Sequence, residues 1–283
     1  LAPAQQARGT SPLVPLPFLG RGDHRFGIVQ GYEAPELALR SGASWQRVNF
    51  WWQEYQPTGP QDWRPSNAHV PEAVIDEALA AGMEVVGLIG NPPAWATKRN
   101  LSVPANLELP LTSPDNYWAR FLDRLMRSYQ GRIRHWIIWN EPDIPPGNSG
   151  STWAGTPAEY YQLLKTAHRV AKAISPEIQV IFAGTTYWSD VWNNQRLFLE
   201  RTLEQAQKDP TAAANGYYFD AVALHIYNSP YDIPRIAAEY RAVLRKFGLT
   251  KPLWLTETNL LPNNDPVHPL DPTRWTADLE DQA

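Results

Sequence analysis

The sequence predicts an α/β fold of the (β/α)8 TIM-barrel type, with the eighth strand and helix apparently missing from this chain. Three observations predict it. Seven short apolar runs alternate with amphipathic helical stretches. The runs are continuously apolar rather than alternating, the pattern of strands covered on both faces in a parallel sheet. Polar side chains gather at the C-terminal ends of the runs, where barrel enzymes carry their chemistry. An open doubly wound sheet shares this rhythm, but its nucleotide-binding form needs a Gly-rich loop after a strand, and none occurs.

Taken in order, the first run is Phe26-Gly27-Ile28-Val29 and the second is Trp45 to Phe50, "WQRVNF". A helix from about Pro71 sets Val74, Ile75, Ala78 and Leu79 on one face, and Gly82 is placed to end it. The third run, Glu84 to Ile89, precedes a helix with Ser113 as candidate N-cap and Pro114 in the first turn. The fourth run is His135 to Trp139. Thr156, Pro157 and Glu159 then form the signature of a capping box that opens a helix to about Ile174. The fifth run is Gln179 to Ala183, followed by a helix from about Asn194 to Gln207. The sixth is Phe219 to His225, followed by a helix from about Ile233 to Phe247. The seventh is Pro252 to Thr256, and Thr276 to Ala283 reads as the start of a helix. Residues 1–20 read as an N-terminal extension and 21–283 as one barrel domain, incomplete at its C-terminal side.

The length of 283 residues suits one barrel, which needs about 250. Hydrophobic residues at 43% and charged residues at 19% exclude a disordered chain. The net charge of −4, without a basic patch, argues against nucleic acid as a partner. No apolar run reaches the roughly 20 residues of a membrane span. The absence of cysteine excludes disulfides, thiol nucleophiles and thiolate metal sites. The six histidines show no metal-ligand spacing, so neither a metal nor another cofactor is expected. Twenty-seven prolines and the Ala/Pro-rich start point to a secreted or cell-surface protein. Oligomeric state is not encoded in any pattern found.

The chemistry lies in two strand ends. "HWIIWNEPD" (135–143) breaks from an apolar run into Asn140-Glu141, and "WLTETN" (254–259) ends the seventh run at Glu257. In a closed barrel these two carboxylates reach one pocket. Cleavage of a glycosidic bond needs such a pair, one protonated to assist the leaving oxygen and one ionised to attack or to activate water. Pro142 stops the strand behind Glu141, and Asn140 is placed to bind a sugar hydroxyl. Asn140 or Asp143 could instead cap a short helix, with Glu141 facing water. Thirteen tryptophans add a second theme. Trp51, Trp52, Trp95, Trp153, Tyr187 and Trp188 follow strand ends, where flat rings can stack on sugars or fill the loops.

These motifs resemble the acid/base and nucleophile motifs of clan A retaining glycoside hydrolases. The nearest likeness is to family 39 and related bacterial exopolysaccharide-cleaving enzymes. The resemblance covers most of the chain: Arg47 in "WQRVNF", Asn140-Glu141 in "WNEPD", His225 and Tyr227 in "ALHIY" and Glu257 in "TETN" occur in matching order. It implies Glu141 as acid/base and Glu257 as nucleophile. Asn140 would bind the hydroxyl beside the anomeric carbon, Arg47 would hold Glu257 ionised, and His225 and Tyr227 would join the network around both. Trp95, Trp153 and Trp188 are the stacking candidates. The implied activity is hydrolysis of a β-linked oligo- or polysaccharide. The alternatives are a non-catalytic carbohydrate-binding protein on a degenerate barrel, and an inverting hydrolase on the same fold.

Overall fold

The computed structural model describes residues 24–64, 67–99, 102–227 and 230–259, with the backbone of Leu261–Pro262 and Thr276–Ala277. The expected extension over residues 1–20 lies outside them. Seven strands form one parallel sheet in chain order. They are β1 (Gly27–Val29), β2 (Trp45–Trp51), β3 (Glu84–Gly90), β4 (His135–Asn140), β5 (Gln179–Thr185), β6 (Ala221–His225) and β7 (Leu253–Glu257). Between them run α1 (Pro35–Arg40), α2 (Glu72–Ala80), α3 (Tyr117–Ser128), α4 (Pro157–Ile174), α5 (Phe198–Ala206) and α6 (Asp232–Lys246).

The sheet is curled. In a flat sheet, β2 and β7 would stand five strand spacings apart, about 24 Å. Instead the indoles of Trp45 on β2 and Trp254 on β7 lie 5.7 Å apart between centroids. Arg47 of β2 also reaches Glu257 of β7 at 2.5 Å. Strand side chains therefore divide into two layers. Val86, Leu88, Ile137, Ile181, Ala221 and Ala223 fill the inside, against Trp45, Trp51 and Trp254. Residues of opposite parity, such as Val48, Phe50, Ile138, Val180, Phe182 and Val222, pack outward under the helices. Gly27 pairs with Trp45 and must be bare, because a Cβ there would lie 2.1 Å from the indole. β1 and β7 are the sheet edges, and among the described residues no strand pairs between them, as expected for a missing eighth unit.

The helices follow from local chemistry. α4 begins with the expected capping box: Thr156 Oγ1 accepts from the Glu159 amide, and the Glu159 carboxylate accepts from the Thr156 amide at 2.8 Å. Gly82, at φ +82°, ends the turn after α2 in the left-handed region that glycine enters without strain. Three expectations are corrected. α3 starts later than the Ser113-Pro114 signal implies. Asn116 is its cap, with Oδ1 accepting from the Ala119 amide at 3.0 Å and Nδ2 donating to the Leu109 carbonyl; a buried amide with two partners outcompetes a half-buried serine. α5 starts at Phe198 rather than near Asn194, because the buried carboxylate of Asp190 accepts the Phe198 amide at 2.6 Å and sets the first turn there. Thr276–Ala277 is extended and pairs with Leu261–Pro262 instead of opening a helix.

The caps give a stability test. Asn116→Ala lowers unfolding free energy by about 1–2 kcal/mol and Thr156→Ala by about 1, whereas Ser113→Ala stays within about 0.5 kcal/mol. Urea denaturation of the three variants measures it.

Candidate active site

The C-terminal ends of β2, β4, β6 and β7 deliver charged groups to one point. Glu141 follows β4 directly. The chain there leaves regular strand geometry: Trp139 has φ +82° and Glu141 φ +46°, conformations that cost a non-glycine residue about 1–3 kcal/mol. Two anchors hold this turn: the Glu141 amide donates to the Gly184 carbonyl at 2.9 Å, and the Trp139 indole N–H donates to the Thr152 carbonyl at 3.2 Å. Asn140 is half-buried, and its own carbonyl accepts from the Thr152 hydroxyl.

His225, the last residue of β6, is fully buried and sits between the two glutamates. Its Nδ1 lies 2.9 Å from Glu141 Oε1 and 3.5 Å from Glu257 Oε2. Arg47, 4% exposed, donates from Nη1 to Glu257 Oε1 at 2.5 Å, and the Tyr227 hydroxyl donates to Glu257 Oε2. One ligating atom from each of Glu141, His225 and Glu257 can be chosen so that all lie within 4.8 Å of one another. Such a donor set could hold a divalent cation, but Arg47 already supplies the countercharge at Glu257.

The electrostatics make the two carboxyl groups unequal. Burial pushes Glu257 toward its neutral form. The opposing effects outweigh it: the electrostatic influence of the adjacent His225 ring and Arg47 guanidinium, and hydrogen bonds from Tyr227 and Arg47. Its pKa therefore falls below the ordinary carboxylate range. Among the described residues, the Glu141 carboxylate meets the ring of His225 rather than an arginine or a tyrosine hydroxyl.

The match to known proteins bears on this geometry. Residues 95–268, well over half of the chain, fit the family model described as the glycosyl hydrolase catalytic core. The chain belongs to the glycosyl hydrolase catalytic core family. Both glutamates fall inside the matched region, and the glycoside hydrolase affiliation expected from the motifs is met. Over 133 residues the chain is 30% identical to a β-xylosidase of Caldicellulosiruptor saccharolyticus, covering 43% of this chain and 25% of that one. The chain thus spans about a quarter of the length of this curated relative. Among solved structures it is similar to the xylanase XynB of Paenibacillus barcinonensis, at TM-score 0.58 and 16% identity, over 94% of this chain and 78% of that one. It is also similar to a monomeric β-xylosidase of Caulobacter crescentus, at TM-score 0.55 and 16% identity, over 83% and 52%. At such identities the likeness shows a shared fold, the barrel expected from the sequence.

The aromatic candidates of this catalytic core separate. Trp153 is 2% exposed and stands edge-on to both Trp139 and Tyr160, so its faces are covered by protein. It packs the loop after β4, which corrects its expected role as a sugar platform. Trp95 is half-buried, fixed by its indole N–H donating to the Gln56 carbonyl at 2.7 Å and by edge contacts with Trp52 and Tyr117. Trp188 is half-buried beside Trp192. The loop after β3 carries a short antiparallel pair, Thr97–Arg99 with Val103–Pro104.

Sequence reasoning passed over Gly184 and the function of Asp143. A Cβ on Gly184 would meet the His225 ring at 2.1–2.7 Å, so this glycine gives the imidazole its place. A glycine inside the run "QVIFAGT" was the available signal, since glycine within a strand marks close approach. Asp143 is buried and does not cap a helix: its Oδ2 accepts from the Thr186 amide at 2.8 Å and the Thr186 hydroxyl at 2.7 Å. It ties the turn after Glu141 to the turn after β5. Burial raises its pKa to about 7.

Two measurements follow. Gly184→Ala overpacks the His225 seat and lowers stability by about 1–3 kcal/mol in chemical denaturation. For Glu257, a depressed folded pKa means stability present above the unfolded pKa of about 4.3 and lost as pH falls through the folded value. Arg47→Met raises that folded pKa, so the loss of stability between pH 5 and pH 3 becomes shallower than in the wild type; an unchanged slope would exclude the ion pair as its source.

Proposed function

We propose that this chain is a retaining β-glycoside hydrolase in which Glu257 is the nucleophile and Glu141 the acid/base. One observation carries the reading: carboxylate oxygens from two strand ends, 116 positions apart in sequence, lie within 4.8 Å of one another. Retaining enzymes hold their carboxyl groups about 5–5.5 Å apart, and inverting enzymes need about 6.5–9.5 Å to admit a water.

The roles follow from the environments. Glu257, kept ionised, attacks the anomeric carbon. Glu141 gives its proton to the glycosidic oxygen, and the aglycone departs as an alcohol. The glycosyl ester on Glu257 is then opened by water, whose proton passes to Glu141 and whose oxygen joins the anomeric carbon from the face that the aglycone left. Two inversions give net retention. The hydrogen bonds from Arg47 and Tyr227 keep Glu257 a competent leaving carboxylate in the second step, and His225 fixes the relative position of both groups. Asn140, beside Glu141, is suited to the neighbouring hydroxyl of the sugar. The family membership supports hydrolysis of O-glycosyl bonds without a cofactor. The β-xylosidase and xylanase names of its relatives make β-xylosides the first substrates to test.

Turnover of aryl β-glycosides, with 4-nitrophenyl β-D-xyloside first, tests it. Glu257→Gln lowers kcat by at least about a thousandfold with the fold intact by circular dichroism. Glu141→Ala costs about 10²–10⁴-fold on a substrate with a poor leaving group and less on an activated one, where no proton is needed. Proton NMR of the first-formed product shows the β-anomer. A first-formed α-anomer would remove Glu257 as nucleophile, and an inactive wild type would leave a carbohydrate-binding barrel.

A further inference from the structure

The short helix Trp188–Trp192, in the turn after β5, carries an aromatic surface outside the carboxylate pair. Trp192 is 74% exposed, among the most exposed large apolar side chains of the described residues. It lies over Trp188 with centroids 5.9 Å apart and planes inclined by 23°. An i,i+4 pair of this kind is worth only about 0.2–0.5 kcal/mol to a helix, which does not account for leaving most of an indole in water.

Its position is fixed from behind. Asp190, 1% exposed in the same helix, accepts from Arg201 Nη2 at 2.5 Å and from the Phe198 amide at 2.6 Å. Tyr187, at φ +59°, stands edge-on to Trp188, and its hydroxyl accepts from Arg235 and donates to Glu239. Five residues would not hold a helix alone. These buried anchors make it a rigid shelf. The shelf is joined to the candidate active site through Thr186, whose amide and hydroxyl are held by Asp143, two residues beyond Glu141.

We infer that Trp192, backed by Trp188, is a binding platform for the leaving-group side of a β-linked polysaccharide. An exposed indole face matches the C–H face of a pyranose ring, while Arg235, over the Trp188 ring, and Glu239 at the Tyr187 hydroxyl offer hydrogen bonds to hydroxyls at the back of the shelf. The shelf adjoins the strand end of Glu141 rather than that of Glu257. Since Glu141 protonates the departing oxygen, a chain crossing toward Trp192 is the aglycone. This rests on the proposed roles of the two glutamates. It implies a substrate that continues for several sugars past the cleaved bond, and thus cleavage within chains.

Affinity electrophoresis of Glu257→Gln, which leaves the gel polymer undigested, tests the platform in soluble xylan, β-1,4-galactan and mixed-linkage β-glucan. Retardation is expected in at least one gel, and adding Trp192→Ala weakens it about five- to tenfold. In the active protein the same substitution lowers the ratio of kcat/KM on that polysaccharide to kcat/KM on an aryl glycoside by a similar factor. No retardation in any gel, or equal retardation with and without Trp192, overturns the platform. Trp192-dependent retardation in a wild type that turns over no glycoside overturns its assignment to the leaving-group side.

Discussion

The contact between Arg47 and Glu257 is the constraint on which the site depends. It joins β2 to β7, which the order of the sheet separates by five strands. Only a curled sheet brings them together, and only a bare or small interior lets it curl. Small residues at Gly27, Gly90, Ala221 and Ala223 give room for Trp45, Trp51 and Trp254 on the other strands. The same curvature that packs these indoles places a nearly buried guanidinium against a nearly buried carboxylate. Each alone would be costly to bury; together, and with the Tyr227 hydroxyl donating to Glu257, they are compensated. The ion pair is thus an outcome of closure and also a link across the sheet, on the side where β1 and β7 remain unpaired among the described residues.

The polar groups at the strand ends are held more tightly from behind than from each other. Glu141 stands on a turn fixed by the Gly184 carbonyl and the Trp139 indole; His225 rests against the bare face of Gly184. One residue of β5 thus positions two members of the cluster, one through its backbone oxygen and one through its missing side chain. Positive φ at Trp139 and Glu141 stores strain at the turn that aims the carboxylate. Such strain is tolerated because the surrounding layer of Tyr160, Phe182 and Trp153 is closely packed and leaves the turn no room to relax.

Much of this was legible in the sequence. Continuous apolar runs gave the parallel strands because burial on both faces removes alternation, and all seven appear within two residues of their expected ends. The convergence of Glu141 and Glu257 followed from barrel geometry, since strand ends of one rim share one opening. What was not legible depends on distances that no local pattern carries. Ser113 and Asn116 are both good caps, and the choice between them was made by the Leu109 carbonyl. Trp153 and Trp192 are the same residue type after successive strands. One is enclosed by Trp139 and Tyr160 and the other is turned outward by the burial of Asp190. Composition cannot separate a tryptophan that fills a loop from one that faces water.

The two aromatic themes of the chain therefore have different physical origins. Inside, indoles compensate for a barrel interior that lacks a full complement of strand side chains; Trp45 and Trp254 meet across the space between sheet edges. Outside, the pair at Trp188 and Trp192 sits on a helix too short to stand by itself, anchored by the buried Asp190 carboxylate that also caps α5 at Phe198. A shelf needs rigidity if stacking on it is to favour binding, because an indole that must first be ordered loses part of what the contact gives. Asp143 extends that rigidity to the turn bearing Glu141. A sugar chain resting on the shelf would then meet Glu141, the proposed proton donor, at a fixed distance, which is what transfer to one particular glycosidic oxygen requires.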